Sequence, residues 1–110
     1  MKKHSGKTFS ERVVELALSI PKGRVTTYGR LARAAGAGGM ASQSITGILA
    51  RAHTEKGLAI PFHRIVYANG SIWVSEEYRA KRMRLYKEEG VVVDTNNKIK
   101  NFKEILLEFN

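Results

Sequence analysis

The sequence contains no cysteine, only two prolines, and almost no carboxylates across its middle half. Without a thiol there is no disulfide framework, no thiolate metal site and no sulfur nucleophile. No stretch approaches the roughly 18 consecutive apolar residues that a membrane-spanning helix needs, so no membrane partner is expected. The N-terminal run from Met1 to Val14 is basic but lacks an apolar h-region and a small-residue cleavage site, so it does not read as a secretory signal. Three scattered histidines, His4, His53 and His63, have no metal-ligand spacing and no nucleophile beside them. Metal, cofactor and enzymatic chemistry therefore find no support. The expectation is a cytoplasmic, nucleoid-associated monomer.

The strongest positive signal is charge. The 110 residues carry a formal net charge of +9, and 43% are hydrophobic, enough for one domain over residues 1–110 with a modest core. From Leu16 to Ser75 there are seven basic residues, Lys22, Arg24, Arg30, Arg33, Arg51, Lys56 and Arg64, against the single acid Glu55. The flanking segments are closer to balance. A central block nearly free of anions suits a polyphosphate backbone, because each carboxylate there would be repelled.

The chain punctuates itself clearly. Thr8 and Glu11 form a capping-box pattern ahead of apolar residues at helical spacing, from Phe9 to Ile20, and Pro21-Lys22-Gly23 ends the run. Thr27 can cap a second helix, Tyr28 to Ala35, closed by Gly36. A third helix is read from about Met40 to Ala52, with Ile45, Ile48, Leu49 and Ala52 on its apolar side. Its other side carries Gln43, Thr46, Gly47 and Ala50, and all but Gln43 are small. Such a face admits close approach of another surface, which could equally be a neighbouring element of the same fold. Two short helices joined through glycines make a helix-turn-helix pattern.

Downstream, Asn69-Gly70 signals a tight hairpin between 64–67 and 71–74, where a winged helix-turn-helix carries its wing. A charged helix follows from Ser75 to Glu89, with a partly apolar stripe of Tyr78, Arg82, Leu85 and Tyr86. Val91–Val93 and 98–100 can pair, and Phe102 to Phe109 forms a terminal amphipathic segment. The fold class is thus mainly α with a small β-hairpin, winged helix-turn-helix-like.

Two segments carry a family resemblance: Ile20-Pro21-Lys22-Gly23-Arg24-Val25-Thr26-Thr27-Tyr28-Gly29-Arg30-Leu31-Ala32, and Ile60-Pro61-Phe62-His63-Arg64-Ile65-Val66. Together with the Glu88-Glu89-Gly90-Val91 close, they resemble the C-terminal DNA-binding domain of O6-alkylguanine-DNA alkyltransferases, whose signature is Pro-Cys-His-Arg-Val. Phe62 stands where that family has its acceptor cysteine, and a phenyl ring offers no lone pair to attack an alkyl carbon. The chain is therefore similar to the alkyltransferase-like proteins, which have the domain without the acceptor.

The resemblance implies a protein that binds double-stranded DNA with alkylated guanine through the minor groove. It would flip the base and pass the site to nucleotide excision repair proteins. It implies that Tyr28 crowds a phosphate and rotates the target nucleotide, and that Gln43, at the position of the family's arginine finger, plugs the gap. Phe62, Tyr28 and Trp73 are expected around the lesion. Lys22, Arg24, Arg30, Arg33 and Arg51 are expected to hold phosphates beside Thr46, Gly47 and Ala50. Without a thiol to activate, His63 and Glu89 are left a structural role, and so is Arg64. A second reading keeps the fold as a sequence-reading winged helix-turn-helix regulator, against which the small residues of the third helix offer few readers of base edges.

Overall fold

The computed structural model describes residues 7–36 and 44–109. Helix α1 spans Phe9–Leu18 and opens on the expected capping box: the Glu11 N–H donates to Thr8 Oγ1 at 3.1 Å, and the Thr8 N–H donates to Glu11 Oε1 at 2.8 Å. Val13 and Ala17 are buried, as their spacing dictates. A turn through Gly23, at φ +84°, leads to the two-residue strand β1 (Thr26–Thr27), whose second residue caps α2 (Tyr28–Ala34) through Thr27 Oγ1. Arg12 of α1 reaches over to donate to the Ala35 carbonyl at 2.7 Å, satisfying one of the orphan carbonyls at the end of α2.

Helix α3 (Ile45–Lys56) runs a full turn beyond the expected end at Ala52. Nothing in the Arg51–Lys56 stretch breaks a helix, and Gly57 at φ +67° supplies the left-handed cap. Residues 40–43, where the sequence pattern starts this helix, lie outside the described residues, and Gln43 is among them. A 3₁₀ turn, Phe62–Arg64, then feeds strand β2 (Ile65–Val66).

The pairing of β2 corrects the sequence reading. It lies parallel to β1, with Thr26 opposite Ile65 and Thr27 opposite Val66, instead of forming a hairpin with 71–74. The Asn69-Gly70 turn exists: the Gly70 N–H donates to the Tyr67 carbonyl at 2.9 Å and the Tyr67 N–H to the Ser71 carbonyl at 3.0 Å. Past Ser71 the chain pairs elsewhere, through an antiparallel bridge to Lys98 and an Ile72 N–H to Asn97 carbonyl bond of 2.9 Å. Those backbone groups are committed to the 97–99 segment, where the Ile99 N–H also donates to the Gly70 carbonyl at 3.0 Å, so they are not available to 64–67.

Helix α4 spans Arg79–Glu88 rather than beginning at Ser75. Ser75 instead closes a turn, its carbonyl accepting from the Tyr78 N–H at 3.2 Å. Val93 and Ile99 pair as expected, and α5 is a single turn, Phe102–Ile105. The chain then runs extended along β1, with a Val25–Leu106 parallel bridge and the Leu107 N–H donating to the Val25 carbonyl at 2.7 Å. The C-terminal segment is thus part of the fold.

Two apolar clusters flank the β1–β2 pair. The larger joins the inner faces of α1, α2 and α3 with Ile60 and Ile65, centred on Val13, Leu31, Ile45 and Leu49. The smaller gathers Val25, Val66, Ile72, Tyr86, Val91 and Ile99. The segment carrying Phe62, His63 and Arg64 runs between them, which is how the fold places that motif.

Candidate nucleic-acid interface

At the centre of the motif is a buried ionic knot. Glu89, at the end of α4, accepts from His63 Nε2 at 2.7 Å, from Arg64 Nη2 at 2.6 Å, and from the Gly23 N–H at 3.1 Å. Arg64 also donates to the Ile20 carbonyl at 2.9 Å, and the Tyr86 hydroxyl donates to the His63 carbonyl at 2.6 Å. Burial pushes the Glu89 carboxyl up, but hydrogen bonds from Arg64, His63 and Gly23 outweigh it and hold it at about 2. Burial lowers the His63 imidazole below its ordinary value despite the carboxylate beside it. A neutral His63 then donates its Nε2–H to an ionised Glu89. Burial also drives the Tyr86 phenol up to about 12. The knot ties the α1–β1 turn, the 3₁₀ turn and α4 together across as many as 66 residues of sequence.

The outer side of α3 answers the question its sequence leaves open. Thr46, Gly47, Ala50 and Arg51 are all exposed, while Ile45, Ile48, Leu49 and Ala52 are buried. The small residues therefore do not serve packing against another element among the described residues. A Cβ built on Gly47 would meet only the Arg51 guanidinium, at 3.5 Å, so internal sterics do not require glycine there.

One edge of this face borders a cleft of about 750 Å³. Ala50 and His53 of α3 form one wall, the Ala59–Arg64 segment with Phe62 forms the floor, and Trp73 with Tyr78, Lys81, Arg82 and Leu85 closes the far side. His53 is fixed by its Nδ1–H donating to the Leu58 carbonyl at 2.9 Å, and its ring meets Phe62 edge-on at 5.9 Å. Trp73 is 42% exposed, with the Arg82 guanidinium 5.4 Å from its ring centroid.

The sequence-derived sites distribute unevenly over this geometry. Phe62 and Trp73 line the cleft, but Tyr28 stands outside its walls. Tyr28 is half-buried at the start of α2, its ring 5.8 Å from that of Tyr67. Burial raises its phenol above the ordinary value. Lys22 and Arg33 are exposed. Arg24 is half-buried, and its Nε donates to the Ile105 carbonyl at 3.0 Å and its Nη2 to the Leu106 carbonyl at 3.2 Å, which pins the C-terminal segment. Arg30 pairs with Glu108.

The apolar spacing gives no warning that α4 lines a cleft, because Tyr78, Arg82 and Leu85 read there as a packing stripe. Only Tyr86 of that stripe is buried. The usable signal was the density of cations in Arg79-Ala80-Lys81-Arg82-Met83-Arg84, which averaging over a near-neutral C-terminal segment conceals.

An exposed small-residue helix in a helix-turn-helix arrangement, beside a cleft floored by a Pro-Phe-His-Arg turn and an Arg–Glu–His knot, defines an alkyltransferase-type DNA-binding fold. The chain belongs to the family described as 6-O-methylguanine DNA methyltransferase, DNA binding domain, which it matches over residues 8–91. It is 33% identical over 92 residues to the DNA base-flipping protein of Escherichia coli K12, covering 84% of this chain and 69% of that one, and matches the Shigella flexneri protein of the same name equally. Among solved structures it is similar to S. pombe Atl1 in complex with damaged DNA containing O6-carboxymethylguanine, at TM-score 0.71 and 24% identity, over 99% of this chain and all of that one. S. pombe ATL in complex with DNA superposes with TM-score 0.70 at 25% identity, over the same shares of the two chains.

Proposed function

We propose that this protein is a non-enzymatic DNA-damage binder that recognises O6-alkylguanine-type lesions. It binds in the minor groove, flips the modified base into the Phe62 cleft, and flags the site for nucleotide excision repair. The observation that carries this reading is the exposed Thr46-Gly47-Ala50 face of α3, whose edge at Ala50 is also a wall of that cleft. A small, uncharged helix face can sit deep in a groove, and a flipped nucleotide then has a cavity within reach. The relatives' names, a base-flipping protein and a binder of damaged DNA, support the same reading.

In this reading Phe62 replaces the acceptor cysteine, and with no cysteine in the sequence alkyl transfer to a thiol has no acceptor. The phenyl packs against the base instead. Tyr28, against the Tyr67 ring at a helix N-terminus, turns the nucleotide out, and Gln43 fills the vacancy. Lys22, Arg33 and Arg51 hold phosphates, with Arg30 joining once DNA displaces Glu108. His63, Arg64 and Glu89 keep the cleft floor in place. The protein acts as a monomer in the nucleoid.

Fluorescence anisotropy on matched duplexes with guanine or O6-methylguanine, at two salt concentrations, tests the proposal. Tighter binding to the modified duplex, with the preference reduced by Tyr28→Ala, is the expected result. Equal, salt-sensitive binding to both would refute lesion recognition and leave a general DNA-binding domain. Absence of binding at low salt would refute DNA binding itself.

A further inference from the structure

The cleft beside α3 has no carboxylate on its walls, and its cations are Arg64, Lys81 and Arg82. Glu89 neutralises Arg64. Among the described residues the ion pairs are Lys7–Glu15, Arg30–Glu108, His63–Glu89 and Arg64–Glu89, which leaves Lys81 and Arg82 with no acidic partner.

Arg82 is half-buried and held in place by its guanidinium lying against the Trp73 ring, 5.4 Å from the ring centroid. Lys81 is exposed at the same wall. The two histidines add no competing anion. His63 is neutral, and His53 is engaged with the Leu58 carbonyl. The acids nearest in sequence, Glu76, Glu77 and Glu88, are exposed and do not line the cleft. A partly desolvated cation without a counter-ion is a standing attraction for an anion, stronger than the same charge in open water.

Resting on the lesion-binding reading above, we infer that the cleft discriminates among O6 adducts by charge. It favours a guanine whose O6 substituent ends in an anionic group over one of the same size that is neutral, with Lys81 and Arg82 as the specificity-determining residues. The cleft's volume, within the usual range for small-molecule sites, accommodates a base together with such a substituent. Arg82 is oriented by Trp73 before anything binds, so little ordering cost remains when a carboxylate arrives.

The test uses the full chain and four duplexes identical but for one base: guanine, O6-methylguanine, O6-carbamoylmethylguanine and O6-carboxymethylguanine. The last two differ in charge and scarcely in size. The expected result is that carboxymethyl binds roughly fivefold tighter than carbamoylmethyl, in keeping with one partly exposed ion pair. Lys81→Gln and Arg82→Gln should each reduce that ratio. The exposed Lys81 variant keeps the test decisive should Arg82→Gln disturb Trp73. Equal affinity for the two isosteres, while both bind tighter than guanine, would overturn charge selection and leave lesion binding standing. Variants that weaken all duplexes alike with the ratio intact would assign Lys81 and Arg82 to phosphate contacts and overturn it as well. Four indistinguishable affinities would overturn the underlying lesion-binding reading.

Discussion

Replacing Glu89 with glutamine removes the only carboxylate in the knot while keeping its size. The Glu89 side chain is 6% exposed and that of Arg64 15%, so the substitution leaves a poorly solvated guanidinium without its counter-ion. Breaking a buried pair in this way costs about 3–5 kcal/mol. Proton linkage gives a second route to the magnitude. The Glu89 carboxyl is held at about 2 in the folded state against 4.5 ordinarily. At about 1.4 kcal/mol per unit, this stabilises the fold by about 3 kcal/mol. A depressed carboxyl stabilises fully above its unfolded value and loses that contribution as pH falls, here between pH 4.5 and 2. His63 acts in the same direction over a higher range. Because its folded value is lowered from 6.5, the unfolded chain takes up the proton first, and stability declines as pH drops below 6.5.

Urea denaturation of both proteins at pH 7 and at stepwise lower pH is the assay. Glu89→Gln should be less stable by about 3 kcal/mol at pH 7, a large share of the roughly 5–15 kcal/mol typical of a folded domain. The gap should close toward pH 2 as the native Glu89 protonates. A difference below about 1 kcal/mol at pH 7, or one that persists undiminished near pH 2, would refute the account of the knot, since the linkage estimate requires both the size and its disappearance.

Other perturbations separate fold from function. Gly47→Leu adds a side chain on an exposed helix face that meets only the end of Arg51. Thermal melts should show unchanged or higher stability, by up to about 1 kcal/mol from helix propensity, while titration shows DNA affinity at least tenfold weaker. Gly70→Ala combines a backbone at φ +86° with a Cβ 3.0 Å from Phe102 Cγ. It should cost about 1–3 kcal/mol in chemical denaturation. Arg33→Gln and Arg51→Gln should each lower the slope of log affinity against log salt by about 1 with little change in stability, whereas Arg24→Gln should lower stability through the lost Ile105 and Leu106 contacts.

Local interactions in this chain were legible from residue order alone. The Thr8–Glu11 capping box spans three residues, and Thr27 caps the helix that begins at the next residue. The motif carrying Phe62, His63 and Arg64, the lack of any thiol and the anion-poor centre were equally plain. A helix pattern also fixes which side of α3 is apolar. It does not fix whether the opposite side is covered, and only packing left Thr46, Gly47 and Ala50 in the open.

What the tertiary structure decided involves partners far apart in sequence. Residues 26–27 pair with 65–66 in parallel, where a nearby turn signal pointed to a hairpin. Arg24 is held by carbonyls 81 and 82 positions away, so this cation also anchors the C-terminal segment. Arg82 meets Trp73 beside the cleft, and what reads in sequence as a packing stripe lines an open cleft. A cation's availability depends on what surrounds it in space. Hydrogen bonding and desolvation are short-ranged, so neighbours in sequence reveal caps and turns, while the partners that commit a charge or leave it free are chosen only when distant segments pack together.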